Sequence, residues 1–540
     1  MARLIWQGAA PRTEGPAPSA PLLLSWRRRG QLLRQDWRAG PDLEQTIASL
    51  AARRPDQADA ALLTLPQACW QVPETGWHAV FADAQRGILG LGIACQERAA
   101  WFAPSDLIAT NRSFPRALAW QLERWQLSEE AFLAADGELS ATSCQEILIP
   151  RKGAARVLTR GRCLRPLPDD LEEMAAELAA WLLAQQSEDG ALAYAYWPSR
   201  GDYSPSNNTI RQFMASLVLI DWAAYRQDSS LLTAATASLE ANLQRYLRHE
   251  GELAVIDFEG KAKLGAAALA ALCLLRHPEA ARYRETRLAL EAGILALWQD
   301  DGRFRTFHRP AERNDNQNFY PGEALTYWAE RLAREPDKAL RDRVWQSLES
   351  YQRFHRADPN PAFVPWHSLA ITKTQPDRRW AERVFAMNDW LLALQQWEEA
   401  PHPDLAGRFY APQNPEYGPP HASSTGVYLE GLTAAFALAQ ASGESERAAR
   451  YATAIWRGLW NLRQLQFLDA ADFFYISKRR RVLGGLRTEA YDNRLRLDNS
   501  QHALAALLAI LAQPALLATR PRPEALQPPA GRLAAGFASQ

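Results

Sequence analysis

The chain has 540 residues, 47% hydrophobic and 23% charged, which excludes a mostly disordered protein and leaves room for about two to four domains. Its 61 basic side chains balance 61 acidic ones, so it lacks the net positive charge of a general nucleic-acid or membrane-surface binder. Five scattered cysteines, Cys69, Cys95, Cys144, Cys163 and Cys273, contain no CxxC pair and indicate neither a zinc knuckle nor a disulfide framework.

Residues 1–20, rich in Pro, Ala and Gly, read as a flexible tail. They show no basic stretch followed by a long apolar run, so no secretory signal is expected. The apolar stretch Ala503–Ala512 is short of the roughly 20 residues of a membrane span, and the expected location is cytoplasmic. Residues 21–150 read as an α+β domain. Leu22–Trp26 and Leu32–Trp37 flank a turn at Arg29 and Gly30, a hairpin signal. Asp42 caps a helix over Leu43–Ala52. Strands are expected at His78–Phe81, Ile88–Cys95 and Glu146–Ile149, and a helix at Phe114–Trp125. Residues 151–168 hold Arg151, Lys152, Arg156, Arg160, Arg162 and Arg165 before Pro166 and Pro168, and read as a solvated linker or a last basic strand.

From Asp169 the pattern becomes helix after helix. Helical apolar periods fall near 169–187, 208–226, 229–248, 263–276, 278–299, 321–335, 337–355, 364–374, 378–397, 421–441, 444–467 and 498–513, twelve in all. Connections after even-numbered helices are tight, as at Gln227–Asp228 and Ser442–Gly443, and those after odd-numbered helices are mostly long. That alternation predicts antiparallel hairpins with their long loops at one end. Residues 514–540 read as a second tail.

Gln185-Gln186-Ser187-Glu188-Asp189-Gly190 and Gln299-Asp300-Asp301-Gly302-Arg303-Phe304 each end a helix with Gly in a left-handed cap position. Each resembles the Q-x-x-D-G-x-aromatic turn of α/α-toroid proteins, the six-hairpin glycosidases and terpenoid-cyclase toroids among them. The resemblance covers 169–513 and implies a mainly α fold, an (α/α)6 toroid preceded by a small α+β domain. In the N-terminal part, Gly87–Leu89, Arg98–Phe102, Pro104-Ser105, Ala117–Trp120 and Leu127–Phe132 are similar to the second half of AMMECR1-type domains. Leu33–Gly40 departs from that family's cysteine motif, so no active residue follows from the likeness.

In a toroid with even-numbered helices inside, the mouth is built from the long loops and the inner-helix starts, whose unpaired N–H groups suit anionic or hydroxyl-rich ligands. Six of the nine histidines fall there: His249, His308, His367, His402, His421 and His502. Glu323 and Asp498 start opposite inner helices, and side chains reaching inward across such a ring would close to about 7–10 Å, the spacing of an inverting acid–base pair. Both also suit plain helix-start roles. Glu430 lies in the apolar run Val427–Leu432, where an unpaired carboxylate is costly and should face a cavity or a partner. His502 is a candidate acid–base histidine. Three imidazoles, His367, His421 and His502, could hold a metal, but no HExxH-like spacing supports one, and hydrogen-bonding roles are expected instead.

Candidate binding residues are Asn208, Arg211, Lys263, Tyr320, Trp366, His367 and His421, with Arg494 and Arg496 from the basic loop 478–496 as a clamp for carboxylate or phosphate. That loop also reads as simply solvated. No P-loop, GxGxxG or GxSxG occurs. The expected function is a carbohydrate-active enzyme (hydrolase, lyase or epimerase) acting on an acidic saccharide without cofactor or metal. The alternatives are a scaffold gripping a glycan, peptide or lipid-linked intermediate, its N-terminal domain recruiting a protein partner, and a toroid acting on a peptide or isoprenoid. No nucleic-acid or membrane-inserted partner is expected.

Overall fold

The computed structural model describes residues 5–6, 21–40 and 42–529, so most of the expected N-terminal tail and the end of the C-terminal one lie outside the described residues. Strands β1 (Leu22–Arg28), β2 (Gln31–Arg38), β3 (Ala60–Val72), β4 (Leu89–Cys95), β5 (Arg98–Phe102), β6 (Glu138–Pro150) and β7 (Arg156–Leu158) form one antiparallel sheet. Its order is β2-β1-β3-β6-β4-β5, with β7 also on β6. The β1–β2 turn carries Arg29 and Gly30 at positive φ, as a two-residue hairpin requires.

The long β3–β6 pair is the spine, running from Ala60 opposite Pro150 to Val72 opposite Leu139, with a bulge at Pro66, which has no N–H to give the ladder. Strand β3 escapes the sequence reading because its first half is buried on both faces and shows no alternation. The segment His78–Phe81, expected as a strand, lies instead in a short helix, Trp77–Val80, too brief to show a period.

Side-chain alternation divides the sheet's duties. Trp26, Leu63, Ile149 and Ala141 point to one face, covered by helices Leu43–Ala51, Phe114–Trp125 and Glu129–Ala134. Trp6 lies edge-on to Trp26 there, ring centres 5.3 Å apart. Leu62 and Leu148 point the other way and join the core of the following domain.

That domain is an (α/α)6 toroid of twelve helices: α1 (Leu171–Ala184), α2 (Thr209–Arg226), α3 (Ser229–Tyr246), α4 (Leu264–Arg276), α5 (Arg284–Ala296), α6 (Tyr320–Arg334), α7 (Lys338–Ala357), α8 (Phe363–Lys373), α9 (Arg378–Leu392), α10 (Ala422–Ala441), α11 (Ser445–Leu465) and α12 (Leu497–Leu511). Even-numbered helices pack side by side in sequence, and α12 closes on α2. Odd-numbered helices form the outer layer, each of α3 to α11 against its predecessor and α1 against α12. Inner helix α4, Leu-Gly-Ala-Ala-Ala-Leu-Ala-Ala-Leu-Cys-Leu-Leu-Arg, is buried all round except at Arg276, because an inner helix has neighbours on every side.

The glycine turns behave as their sequence suggests. Gly190 and Gly302 have φ of +85° and +82°, and a Cβ there would lie 2.4 and 2.8 Å from the Ala237 and Gln346 carbonyl oxygens on the next outer helix. The turn therefore fixes the spacing between successive outer helices.

The long loops sit at one end and carry two small sheets, β8 (Ala195–Trp197), β9 (Asp202–Tyr203), β14 (Arg487–Glu489) and β15 (Asp492–Arg496) in one, and β10 (Leu247–Glu250), β11 (Leu253–Phe258), β12 (Lys261–Lys263) and β13 (Phe307–Arg309) in the other. Two boundary expectations change. Of the two readings of residues 151–168, the last basic strand is the one found: β7 joins the sheet, and Arg160 and Arg162 after it are buried. Residues 514–529 are not a loose tail: Leu516 and Leu526 are buried, Trp456 donates to Thr519, and Arg520 donates to the Pro168 and Asp169 carbonyls. No helix among the described residues is long and apolar enough to cross a membrane.

Candidate active site

The inner-helix N-termini open into a cavity of about 950 Å³, counting its mouth. Arg211 (α2), Glu323 (α6), Trp366 (α8), His421 (α10), Asp498 and His502 (α12) all line it, so the expected mouth residues of five inner helices converge. The loop between α9 and α10 supplies Phe409, Tyr410 and Tyr417, and Phe319 and Tyr428 complete an aromatic rim. These rings escaped the sequence reading because nothing local separates a mouth aromatic from the many used in packing.

Glu323 stands one turn into α6, where Pro321 opens the helix. It caps nothing. Its Oε2 is buried without a hydrogen-bond partner among the described residues. Burial raises its carboxyl to about 7, against the opposing pull of Arg211 and Lys263. Room for it comes from Gly265 on α4, where a Cβ would fall 1.9 Å from Oε2.

Across the ring, His502 Nδ1 lies 2.8 Å from Glu430 Oε1. Glu430 is buried one layer beneath the cavity, and burial raises its carboxyl, with His502 pulling the other way. With Nδ1 occupied, Nε2 is the ring nitrogen left for the cavity, and the Trp366 ring meets the imidazole edge-on at 6.4 Å. Sequence reasoning named both residues but not their pairing, since 72 positions separate them.

Asp498 behaves differently from Glu323. Arg496 grips both of its oxygens, with Nε 2.8 Å from Oδ1, and Arg211 Nε adds 3.0 Å to Oδ2. Burial alone would raise this carboxyl, but the two guanidiniums hold it far below the ordinary range. It is held in the ionised form while burial pushes Glu323 toward its protonated form, so the two carboxyls of the expected pair stand in opposite charge states. Asp498 caps nothing either, because Arg496 occupies the cap position.

His421 is the cap of α10: its Nδ1 accepts from the Ser424 N–H at 3.0 Å and the Ser423 hydroxyl at 2.8 Å. The ring proton is thereby placed on Nε2. Burial and the nearby Arg496 lower the imidazole to about 4, so it remains a neutral donor.

Six expected binding residues lie off the cavity wall. Asn208 caps α2 through the Ile210 N–H. Tyr320 packs on Phe307 with ring centres 5.8 Å apart. His367 stacks on Phe363 at 3.6 Å, fully buried between helices, and burial holds it neutral. Lys263 and Arg496 form a second layer that acts on the charge of Glu323 and Asp498. Arg494 faces Asp492 and lies over Trp197. The basic loop does not close as one clamp: Lys478 donates to the Gly201 carbonyl, Arg481 to the Tyr203 hydroxyl, and Arg487 is buried under Phe467. His421 and His502 are the mouth histidines that meet at the cavity; His308 lies near the Gly293 carbonyl, His402 near Gln85, and His249 stays on exposed β10. No group of three His, Cys, Asp or Glu able to hold a metal occurs among the described residues.

At the far end the barrel is closed by charges. Arg276 (α4) bonds Asp221 (α2) at 2.5 Å and Glu330 (α6) at 2.8 Å, and Lys373 (α8) bonds Glu330 at 2.5 Å.

No family model and no curated protein matches the chain, so the likeness to AMMECR1-type domains stands without support. Solved structures do match. A D-mannose isomerase is 12% identical over 63% of this chain and 97% of its own, with a TM-score of 0.48. An unsaturated glucuronyl hydrolase specific for heparin is 12% identical over 63% and 96%, TM-score 0.46. An inactive variant of the α-1,6-mannanase of Salegentibacter sp. HEL1_6, bound to α-1,6-mannotriose, is 11% identical over 63% and 98%, TM-score 0.44. At such identities no activity carries over to this chain.

Proposed function

We propose that the toroid is a saccharide-converting enzyme that moves a proton beside the carbonyl of an open-chain sugar, an isomerase or epimerase. The observation that carries this reading is the pairing of unlike groups on one cavity: an imidazole steadied by buried Glu430, and a carboxylic acid at Glu323 held near pH 7. His502 Nε2 takes the proton from the carbon next to the carbonyl, while Glu323 gives its proton to the carbonyl oxygen, leaving a neutral enediol. Return of a proton from His502 to either carbon, or to either face, yields the isomer or the epimer, and Glu323 recovers its own proton from the hydroxyl. Glu430 acts through His502 by accepting a hydrogen bond from its Nδ1–H, which leaves Nε2 free as the base, and is a positioning residue.

The hydrolase reading needs Asp498 to exchange a proton, and its two guanidinium partners oppose that. An acidic substrate is favoured by charge. Arg211 and Arg496 together exceed the single charge of Asp498, and Arg211 faces the cavity with only its Nε bonded to that carboxylate. The aromatic rim suits the apolar faces of a sugar ring.

The test is incubation in D₂O with neutral and uronate reducing sugars, followed by proton NMR. Loss of the C2–H signal with appearance of an isomer, abolished in Glu323→Gln and His502→Asn, is the expected result. Release of new reducing ends from oligosaccharides without C2 exchange overturns this reading in favour of hydrolysis.

A further inference from the structure

Irregular chain of the α9–α10 loop forms part of the cavity wall, the α11–α12 loop leads directly into Asp498 at the start of α12, and each loop is tied to the N-terminal domain. In the first, Asp404 is fully buried and accepts from Arg160 Nε at 2.7 Å and Arg162 Nη2 at 2.9 Å. His402, two residues earlier, meets Gln85 Oε1 at 3.1 Å. Phe409 and Tyr410, which line the cavity, follow within six residues of Asp404. In the second, Asn111 donates to Asp492 Oδ1 at 3.0 Å and accepts from the Asn493 N–H at 3.1 Å. The strand that starts at Asp492 delivers Arg496 and Asp498 to the site. Arg408 and Glu489, both buried, join the two loops at 3.3 Å.

We infer that the N-terminal domain is a built-in brace of the active site, and that Arg160, Arg162, Gln85 and Asn111 are its positioning residues. No described residue of that domain lines the cavity. Its effect reaches the site through the loops alone. Loops without regular hydrogen bonding take their geometry from such anchors, and a buried carboxylate shared by two guanidiniums accepts few alternative arrangements. The brace stands on these contacts, and only the sugar-binding readout below rests on the proposed reaction.

The test is hydrogen–deuterium exchange on the full chain carrying Asn111→Gly or Gln85→Ala. Asn111 has φ of +52°, which glycine adopts freely, so that variant removes the side chain without straining the turn. Asn111→Gly is expected to speed exchange roughly tenfold across residues 486–496, and Gln85→Ala across 400–411, with α10 and α12 unchanged in both. This crossed pattern separates positioning from general destabilisation. Unchanged loop exchange, or an even rise over the whole toroid, overturns the inference. Thermal shift with D-glucuronate serves as a parallel readout: weaker binding by both variants than by wild type is expected. If wild type fails to bind this probe or any reducing sugar, the proposed reaction falls, while the exchange pattern still decides the brace.

Discussion

Glu323→Gln separates the energetic consequence of burying an acid from its use. Burial moves this carboxyl from 4.5 to about 7. The native protein therefore keeps a proton that the unfolded chain releases, and the contribution of this group is full below pH 4.5 and lost as pH rises through 7. At about 1.4 kcal/mol per unit, the ionised native state is penalised by about 3 kcal/mol. Glutamine mimics the protonated acid and carries no such penalty. The stability of the variant minus that of wild type should grow from near zero at pH 4.5 to about 3 kcal/mol above pH 7. Urea unfolding followed by tryptophan fluorescence, in steps from about pH 4.5 to 8.5, measures the difference, and groups that titrate alike in both proteins cancel. Catalysis should vanish over the same range in which stability improves. A difference that stays flat across these pH values refutes the reasoning, because Glu323 would then be an ordinary carboxylate with no proton to donate at neutral pH.

His502→Asn should lower turnover about 10²- to 10⁴-fold on any sugar that exchanges in D₂O, and Glu430→Gln should cost less while shifting the pH–rate profile, since it leaves the base but alters its partner. Asp498→Asn leaves Arg211 and Arg496 without their shared anion and should destabilise by about 3–5 kcal/mol at pH 7. Because the native carboxyl lies below its unfolded value, thermal melts of wild type and Asp498→Asn should converge as pH falls below 3.8. Gly265→Ala should leave circular dichroism unchanged and abolish exchange at C2, since its methyl occupies the place of Glu323 Oε2.

The ring was legible because its signal is local. Each helix carries its own apolar period, and the alternation of tight and long connections orders helices into pairs without knowledge of any contact. The same logic located the mouth, and Glu323, Asp498, His421 and His502 do meet there. What each of them does was not legible. Asp498 differs from Glu323 only through partners, and Arg211 stands 287 positions away. The basic stretch 151–168 reads as a solvated linker or a last strand, and although the strand is there, nothing nearby discloses that Arg162 is buried against Asp404, 242 residues beyond it. Strand β3 failed for a different reason: burial on both faces erases the alternation by which a strand is recognised.

Ring closure gives the toroid a mechanical character that a row of hairpins lacks. In an open solenoid, fraying starts at a terminal repeat and advances inward. Here α12 closes on α2, α1 lies against α12, and Arg520 ties the chain beyond α12 to the carbonyls before α1. Among the described residues the ring has no terminal repeat from which to unzip, and it resembles a hooped barrel in which each stave is loaded by both neighbours. Loosening one seam passes the load around the circumference, so the hairpins should yield together, and the cavity they enclose should keep its bore until the whole hoop gives way.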